Sequence, residues 1–128
     1  SNLSILMVTG TWTEGLYIAT RVIEKNNNKE LIDWVGYQKV IVDQLILGLS
    51  AYKRSDYFQK LINDLNSLKA VFDNITISYV YHEPESMEVD GRLVIVDKST
   101  STVNISPEQV KQIGDLVGQI RQRMVKNE

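Results

Sequence analysis

The fold turns on the stretch FQKLINDLNSLKAVFDNITISYVY, residues 58–81. Its first part places Phe58, Leu61, Leu65, Leu68 and Phe72 at alternating steps of three and four residues. That spacing keeps apolar side chains on one side of an α-helix and reads as the seam of an antiparallel bundle. After Asn74 the period drops to two, so that Ile75, Ile77, Tyr79 and Tyr81 share one face of a half-buried strand. A helix that stops and hands over to a strand adds a β element to the helices, and the run of helices ahead of it lacks the alternation of a βαβ fold.

Working outward, the helical spacing predicts helices over about 3–25, 29–51, 56–73 and 107–126. The first carries apolar residues at 5, 8, 12, 16, 19 and 23, and Asn26-Asn27-Asn28 ends it, because consecutive Asn favour turns and left-handed backbone. Ser106-Pro107-Glu108-Gln109 starts the last, with a capping hydroxyl, Pro in the first turn and Gln three residues on. Its seam is Val110, Ile113, Val117, Ile120 and Met124. Strands are predicted over about 75–81 and 92–97, with a weaker one over 102–105. The connection His82–Asp90 reads as a solvated acidic loop closing on the turn signal Asp90-Gly91. The fold class expected is therefore mainly α: a four-helix bundle-like single domain with a small antiparallel β element between helices 3 and 4. A core helix with almost no lead-in suggests the C-terminal part of a longer chain.

Composition narrows the function classes. The chain has 128 residues, 43% hydrophobic and 23% charged, as in ordinary globular domains. With no Cys there is no disulfide, thiolate metal site or thiol nucleophile, and a single His argues against the common zinc sites. Fourteen basic against 16 acidic residues leave no nucleic-acid footprint. The run from Leu3 to Ile23 is interrupted by Thr, Glu and Arg and cannot serve as a membrane span. Neither phosphate-binding loop motif nor a G-x-S-x-G elbow is present. No catalytic residue, metal site or cofactor is expected. Asn74-Ile75-Thr76 and Asn104-Ile105-Ser106 fit the N-glycosylation pattern, which matters only on a eukaryotic secretory route.

Two patterns carry functional readings. Six of the seven glycines (10, 15, 36, 48, 114 and 118) fall inside the predicted helices, at about 1 kcal/mol each relative to Ala. They fit close helix approach, with Trp12 or Trp34 lying over the Gly114–Gly118 trough, or else mark helix breaks. On the first helix, Gly10, Glu14, Tyr17 and Arg21 lie within about 60° of one another. Together with Trp12 they form the candidate ligand-binding set: Trp12, Glu14, Tyr17 and Arg21. A pocket would gather these four round a cavity, whereas a structural stripe would be filled or solvated. Tyr79 and Tyr81 could contact a protein or glycan, but packing on the helices is the preferred reading.

The segment Gly10-Thr11-Trp12-Thr13-Glu14-Gly15-Leu16-Tyr17-Ile18-Ala19 resembles a G-x-W-x-E-x-L-Y core helix of Bacteroidales-type cell-envelope lipoproteins. The likeness continues through Gly36-Tyr37-Gln38-Lys39, the strand with Ile77, Tyr79 and Tyr81, and the last-helix start at Ser106, Glu108 and Gln109. It implies an extracytoplasmic, lipid-anchored protein, with a lipidated Cys and further helices ahead of this segment. It carries no functional residue across. The resulting expectation is a non-enzymatic structural or protein-interaction module of the envelope, binding another protein or itself. The alternative is a helical sensor domain for a small molecule or peptide. An interaction module should expose an apolar patch on the β element or the first helix.

Overall fold

The computed structural model describes residues 1–53 and 55–126. Five helices and four strands follow in the order α1 (Asn2–Asn26), α2 (Lys29–Tyr37), α3 (Lys39–Ser50), α4 (Asp56–Phe72), β1 (Thr76–Val80), β2 (Glu85–Val89), β3 (Arg92–Val96), β4 (Thr100–Asn104) and α5 (Pro107–Lys126).

The predicted helix over 29–51 is two helices, and Gln38 is the reason. Its side-chain Nε2 donates to the Trp34 carbonyl at 3.1 Å, the acceptor its own backbone N–H would use in a continuous helix. That N–H turns to Val35 instead, at 3.1 Å. The β element consequently follows the fourth helix and precedes the fifth, and does not lie between the third and fourth. The Asn break is as expected. Asn27 takes the left-handed conformation at φ 48°, and Asn28 caps α2 by accepting from the Leu31 N–H at 3.0 Å. Ser106 and Gln109 form a reciprocal capping box on α5, with bonds of 2.8 and 3.1 Å.

The core forms where α1, α3, α4 and α5 meet. All five seam residues of α4 are buried, as are Val110, Ile113, Val117 and Ile120 of α5. On α1 the buried residues are Leu16, Ala19 and Ile23 of the expected apolar set joined by Thr9, Thr13 and Thr20, while Val8 faces outward. Threonine enters this seam because its hydroxyl can bond the preceding turn: Thr9 donates to Ile5 O at 2.7 Å and Thr20 to Tyr17 O at 2.9 Å. Opposite Thr20 sits Gly114, where an added Cβ would come within 3.2 Å of it. Small residues on both helices thus set a close α1–α5 approach. Thr20, Tyr17 and Arg21 fill the trough of Gly114 and Gly118; neither Trp12 nor Trp34 lies there.

The β element is two two-stranded antiparallel ladders in series, β1–β4 and β2–β3. The inner ladder runs from Thr76↔Asn104 to Val80↔Thr100, and the outer from Glu85↔Val96 to Val89↔Arg92. Strand β2 occupies what reads in sequence as an acidic loop. Asp90 and Gly91, at φ 53° and 76°, form the two-residue turn that brings it back as a hairpin. The inner ladder is anchored to α2 and α3. Val103 lies over Gly36, the Tyr37 hydroxyl meets Ser101 Oγ at 2.6 Å, and Lys39 Nζ donates to Ile75 O at 2.6 Å. Between the ladders, Ser99 Oγ accepts from the His82 N–H at 3.0 Å, and Asp97 accepts from the Ser99 N–H at 2.8 Å.

Candidate functional site

Glu14, Tyr17 and Arg21 lie together as the helical spacing requires, and α5 covers them. Glu14 Oε2 accepts from Arg121 Nε at 2.7 Å. The guanidiniums of Arg21 and Arg121 lie over the Tyr17 ring at 4.9 and 4.8 Å from its centroid, a cation–π arrangement. Arg21 also pairs with Glu24 at 3.2 Å. The hydrogen bond to Glu14 raises Arg121 above the ordinary guanidinium value, and the Tyr17 side chain does the same for Arg21, with Glu24 adding to it. Every charge in the stripe therefore has a partner within the protein, and the stripe works as a clasp between α1 and α5.

Trp12 does not join this group. At 100° per residue it lies about 160° round the helix from the stripe, and its indole Nε1 donates to Gln38 Oε1 at 2.9 Å. Trp12 and Gln38 together fix the α2–α3 break against α1. The four candidate residues are thus divided between two sides of α1 and do not surround one cavity.

Beside the clasp is a cleft of about 200 Å³ lined by Gly10, Thr13, Glu14, Arg121, Met124 and Val125. The Thr13 hydroxyl is buried and has no hydrogen-bond partner among the described residues. A second cleft, about 260 Å³ and mostly apolar, lies between the end of α1 and the start of α5, lined by Thr20, Ile23, Asn27, Ile32, Pro107 and Val110 among others. A third, about 360 Å³, runs along the outer face of α1 between Gly15, Ile18, Val22, Leu31 and Trp34.

The most exposed apolar surface lies elsewhere. From Ser78 to Ile95 every residue is exposed. Tyr79 and Tyr81, expected to pack on the helices, are each 64% exposed, since only Ile75 and Ile77 at the base of the strand reach the body. In the outer hairpin Leu93 and Ile95 project from one face, 78% and 75% exposed, while Met87, Val89 and Val94 project from the other. Among the described residues no layer covers the sheet at this end. A lone two-stranded hairpin is marginal in water, and exposed apolar patches beyond a few hundred Å² mark contact surfaces. An apolar patch on the β element or the first helix is expected of an interaction module, but the part that β2 plays in this one is not, because Glu85–Val89 reads as loop. The signal was the Asp90-Gly91 turn with alternating Glu85-Ser86-Met87-Glu88-Val89 on one side and Leu93–Val96 on the other.

His82 and the neighbouring carboxylates do not converge: among the described residues no group of three or more His, Cys, Asp or Glu could hold a metal ion, and Glu85 pairs with Lys98 at 2.7 Å. No helix of the described residues is long and apolar enough to cross a membrane. Comparison of the chain with family models, curated proteins and solved structures returns no match.

Proposed function

We propose that this chain is a non-enzymatic protein-interaction module in which the helical body is a mount and the β arm, residues 76–104, is the contact element. The observation that carries this reading is the outer hairpin, with apolar side chains on both faces and every residue from Glu85 to Ile95 exposed. A bundle that needed these residues for its own stability would bury them; here the core closes without them. The likeness of residues 10–19 to envelope lipoproteins supports an extracytoplasmic setting, and fractionation that finds the protein only in the cytosol would overturn that setting.

The test is a photo-cross-linking amino acid at Leu93, compared with one at Lys111 on the exposed side of α5, in cells producing the protein. A covalent adduct from position 93 and none from 111 is expected. Failure of position 93 to form any adduct would overturn the interaction reading. A second reading, a small-ligand site, is favoured by the unpartnered Thr13 hydroxyl beside the Glu14–Arg121 cleft. Thermal-shift screening tests it, and the absence of stabilisation by any compound near saturation would remove it.

A further inference from the structure

We infer that the arm binds the arm of a second copy of this chain, edge to edge along β3, forming a two-fold, four-stranded antiparallel sheet in the order β2–β3–β3–β2. This rests on the reading of the arm as a contact element and names its partner.

The hairpin turn decides which backbone groups are free. With Asp90 and Gly91 both at positive φ, Val89 to Arg92 is a two-residue turn in which the Val89 carbonyl accepts from the Arg92 N–H. Antiparallel pairs alternate between bonded and non-bonded, so Met87–Val94 and Glu85–Val96 are bonded pairs as well. The N–H and C=O groups of Arg92, Val94 and Val96 are therefore used inside the hairpin. Those of Leu93 and Ile95 point away from β2, and among the described residues no strand lies on that side.

The two edges of the hairpin differ in charge. Strand β2 carries Glu85 and Glu88, with Glu83 and Asp90 just beyond its ends, so self-pairing there would set carboxylates against carboxylates. Strand β3 begins at Arg92 and then runs Leu93-Val94-Ile95-Val96 with no further charge and no Pro or bulge, the protections that normally keep an edge strand unpaired.

A second copy fits this edge in one register. Outward-facing residues must meet outward-facing residues, which excludes Leu93 opposite Val96. Setting Ile95 against itself would place Asp97 opposite Leu93, and setting Leu93 against itself would leave Ile95 opposite Gly91. Setting Val94 against itself brings Leu93 and Ile95 of one copy against Ile95 and Leu93 of the other, with all four outward backbone pairs bonded and four large apolar side chains on one face. On the other face, Arg92, which makes no ion pair among the described residues, lies beside Val96 of the second copy and faces that copy's Glu85 across it. Apolar and charged residues are both self-complementary about the same axis. Pairing along so short an edge lies below the roughly 800 Å² per partner of standard interfaces, so the dimer is weak and reversible.

The chain has no cysteine, which makes the register directly testable. In the inferred dimer the two Val94 residues form a non-bonded pair with Cα atoms about 4.5 Å apart, within the range that a disulfide spans. Under mild oxidation Val94→Cys should form a covalent dimer roughly ten-fold or more faster than Lys111→Cys. Adding Ile95→Pro, which removes an outward N–H and leaves the β2 ladder bonds in place, should abolish the difference. Sedimentation equilibrium of the unsubstituted chain should show the mass rising from 14.6 kDa toward twice that value with concentration. Equal cross-linking rates for the two single-cysteine chains overturn the inference, as does fastest cross-linking of Leu93→Cys with itself, which marks another register. Equal rates together with a Leu93 photo-adduct to a different protein end self-pairing and leave the interaction reading in place. Loss of every adduct ends both.

Discussion

Alanine at Gly36 and alanine at Gly15 should have opposite effects on stability, although both glycines lie inside helices. In each case the substitution removes backbone freedom from the unfolded chain and contributes about 1 kcal/mol in favour of the helix. At Gly15 nothing lies within 4 Å of the new Cβ, so that gain is realised in full. At Gly36 the new Cβ would fall 2.5 Å from Val103 Cγ2, with Ile105 a further 1 Å away. Val103 is β-branched, buried, and held in the β1–β4 ladder opposite Ile77, so it has no rotamer into which to retreat. Overpacking of this kind costs about 1–3 kcal/mol, and the rigidity of the neighbour places it at the upper end. The net expectation is a gain of about 1 kcal/mol for Gly15→Ala and a loss of about 1–2 kcal/mol for Gly36→Ala. Urea unfolding followed by circular dichroism reads both, with midpoints moving in opposite directions and unchanged slopes. Combining Gly36→Ala with Val103→Ala should recover about 1–2 kcal/mol relative to additivity. If Gly36→Ala stabilises as Gly15→Ala does, or shows no coupling to Val103, the arm is not anchored where the account places it.

Three further outcomes follow from other parts of the molecule. Thr13→Val removes a buried hydroxyl without a partner and should raise stability by about 1 kcal/mol, whereas Thr9→Val and Thr20→Val each lose a hydrogen bond and should not; thermal melts compare them, and destabilisation by Thr13→Val would contradict the assignment. The half-buried Arg123–Asp64 pair, 2.5 Å apart, joins α5 to α4, so Asp64→Ala should cost about 1–2 kcal/mol. Asp115→Ala, which breaks an exposed pair with Lys111, should cost under about 0.5 kcal/mol; equal losses in urea would refute the distinction. The Ser99 N–H holds the Asp97 carboxylate below its ordinary pKa, so the bond at the neck of the arm is intact above the ordinary carboxylate range and is lost as pH falls through the lowered value. The Ser99 amide resonance should report that acidic midpoint, and a midpoint at or above the usual Asp value would count against the bond.

How far the sequence carried the structure depended on whether apolar period alone set the element. On α4 and α5 it did: each seam residue from Phe58 to Phe72 and from Val110 to Ile120 is buried. On α1 it found Leu16, Ala19 and Ile23 but not Thr9, Thr13 and Thr20, because threonine, polar by composition, enters the core where its hydroxyl can bond its own helix, as it does at Thr9 and Thr20. The break at Gln38 was not legible because it depends on a side chain competing for the Trp34 carbonyl while a Trp 26 residues away holds its other end. For the candidate stripe, angular spacing placed Glu14, Tyr17 and Arg21 side by side. It could not show that Arg121, remote in sequence, would occupy them, and the same arithmetic already put Trp12 on the other side. Strand β2 escaped notice because Glu85 and Glu88 give it the composition of a loop; only its pairing with the apolar Leu93–Val96 makes it a strand.

The central claim, that the helical body carries an outer hairpin it does not need for stability, is tested most directly by thermal unfolding of a chain in which residues 82–98 are replaced by Asn-Gly. That replacement lets Tyr81 face Ser99 in continuation of the β1–β4 register. The account predicts a melting temperature within about 2 °C of the intact chain, since the removed segment buries almost nothing in the core. A fall of more than about 5 °C, equivalent to the loss of at least about 1 kcal/mol, would show that the hairpin belongs to the fold and would contradict the claim.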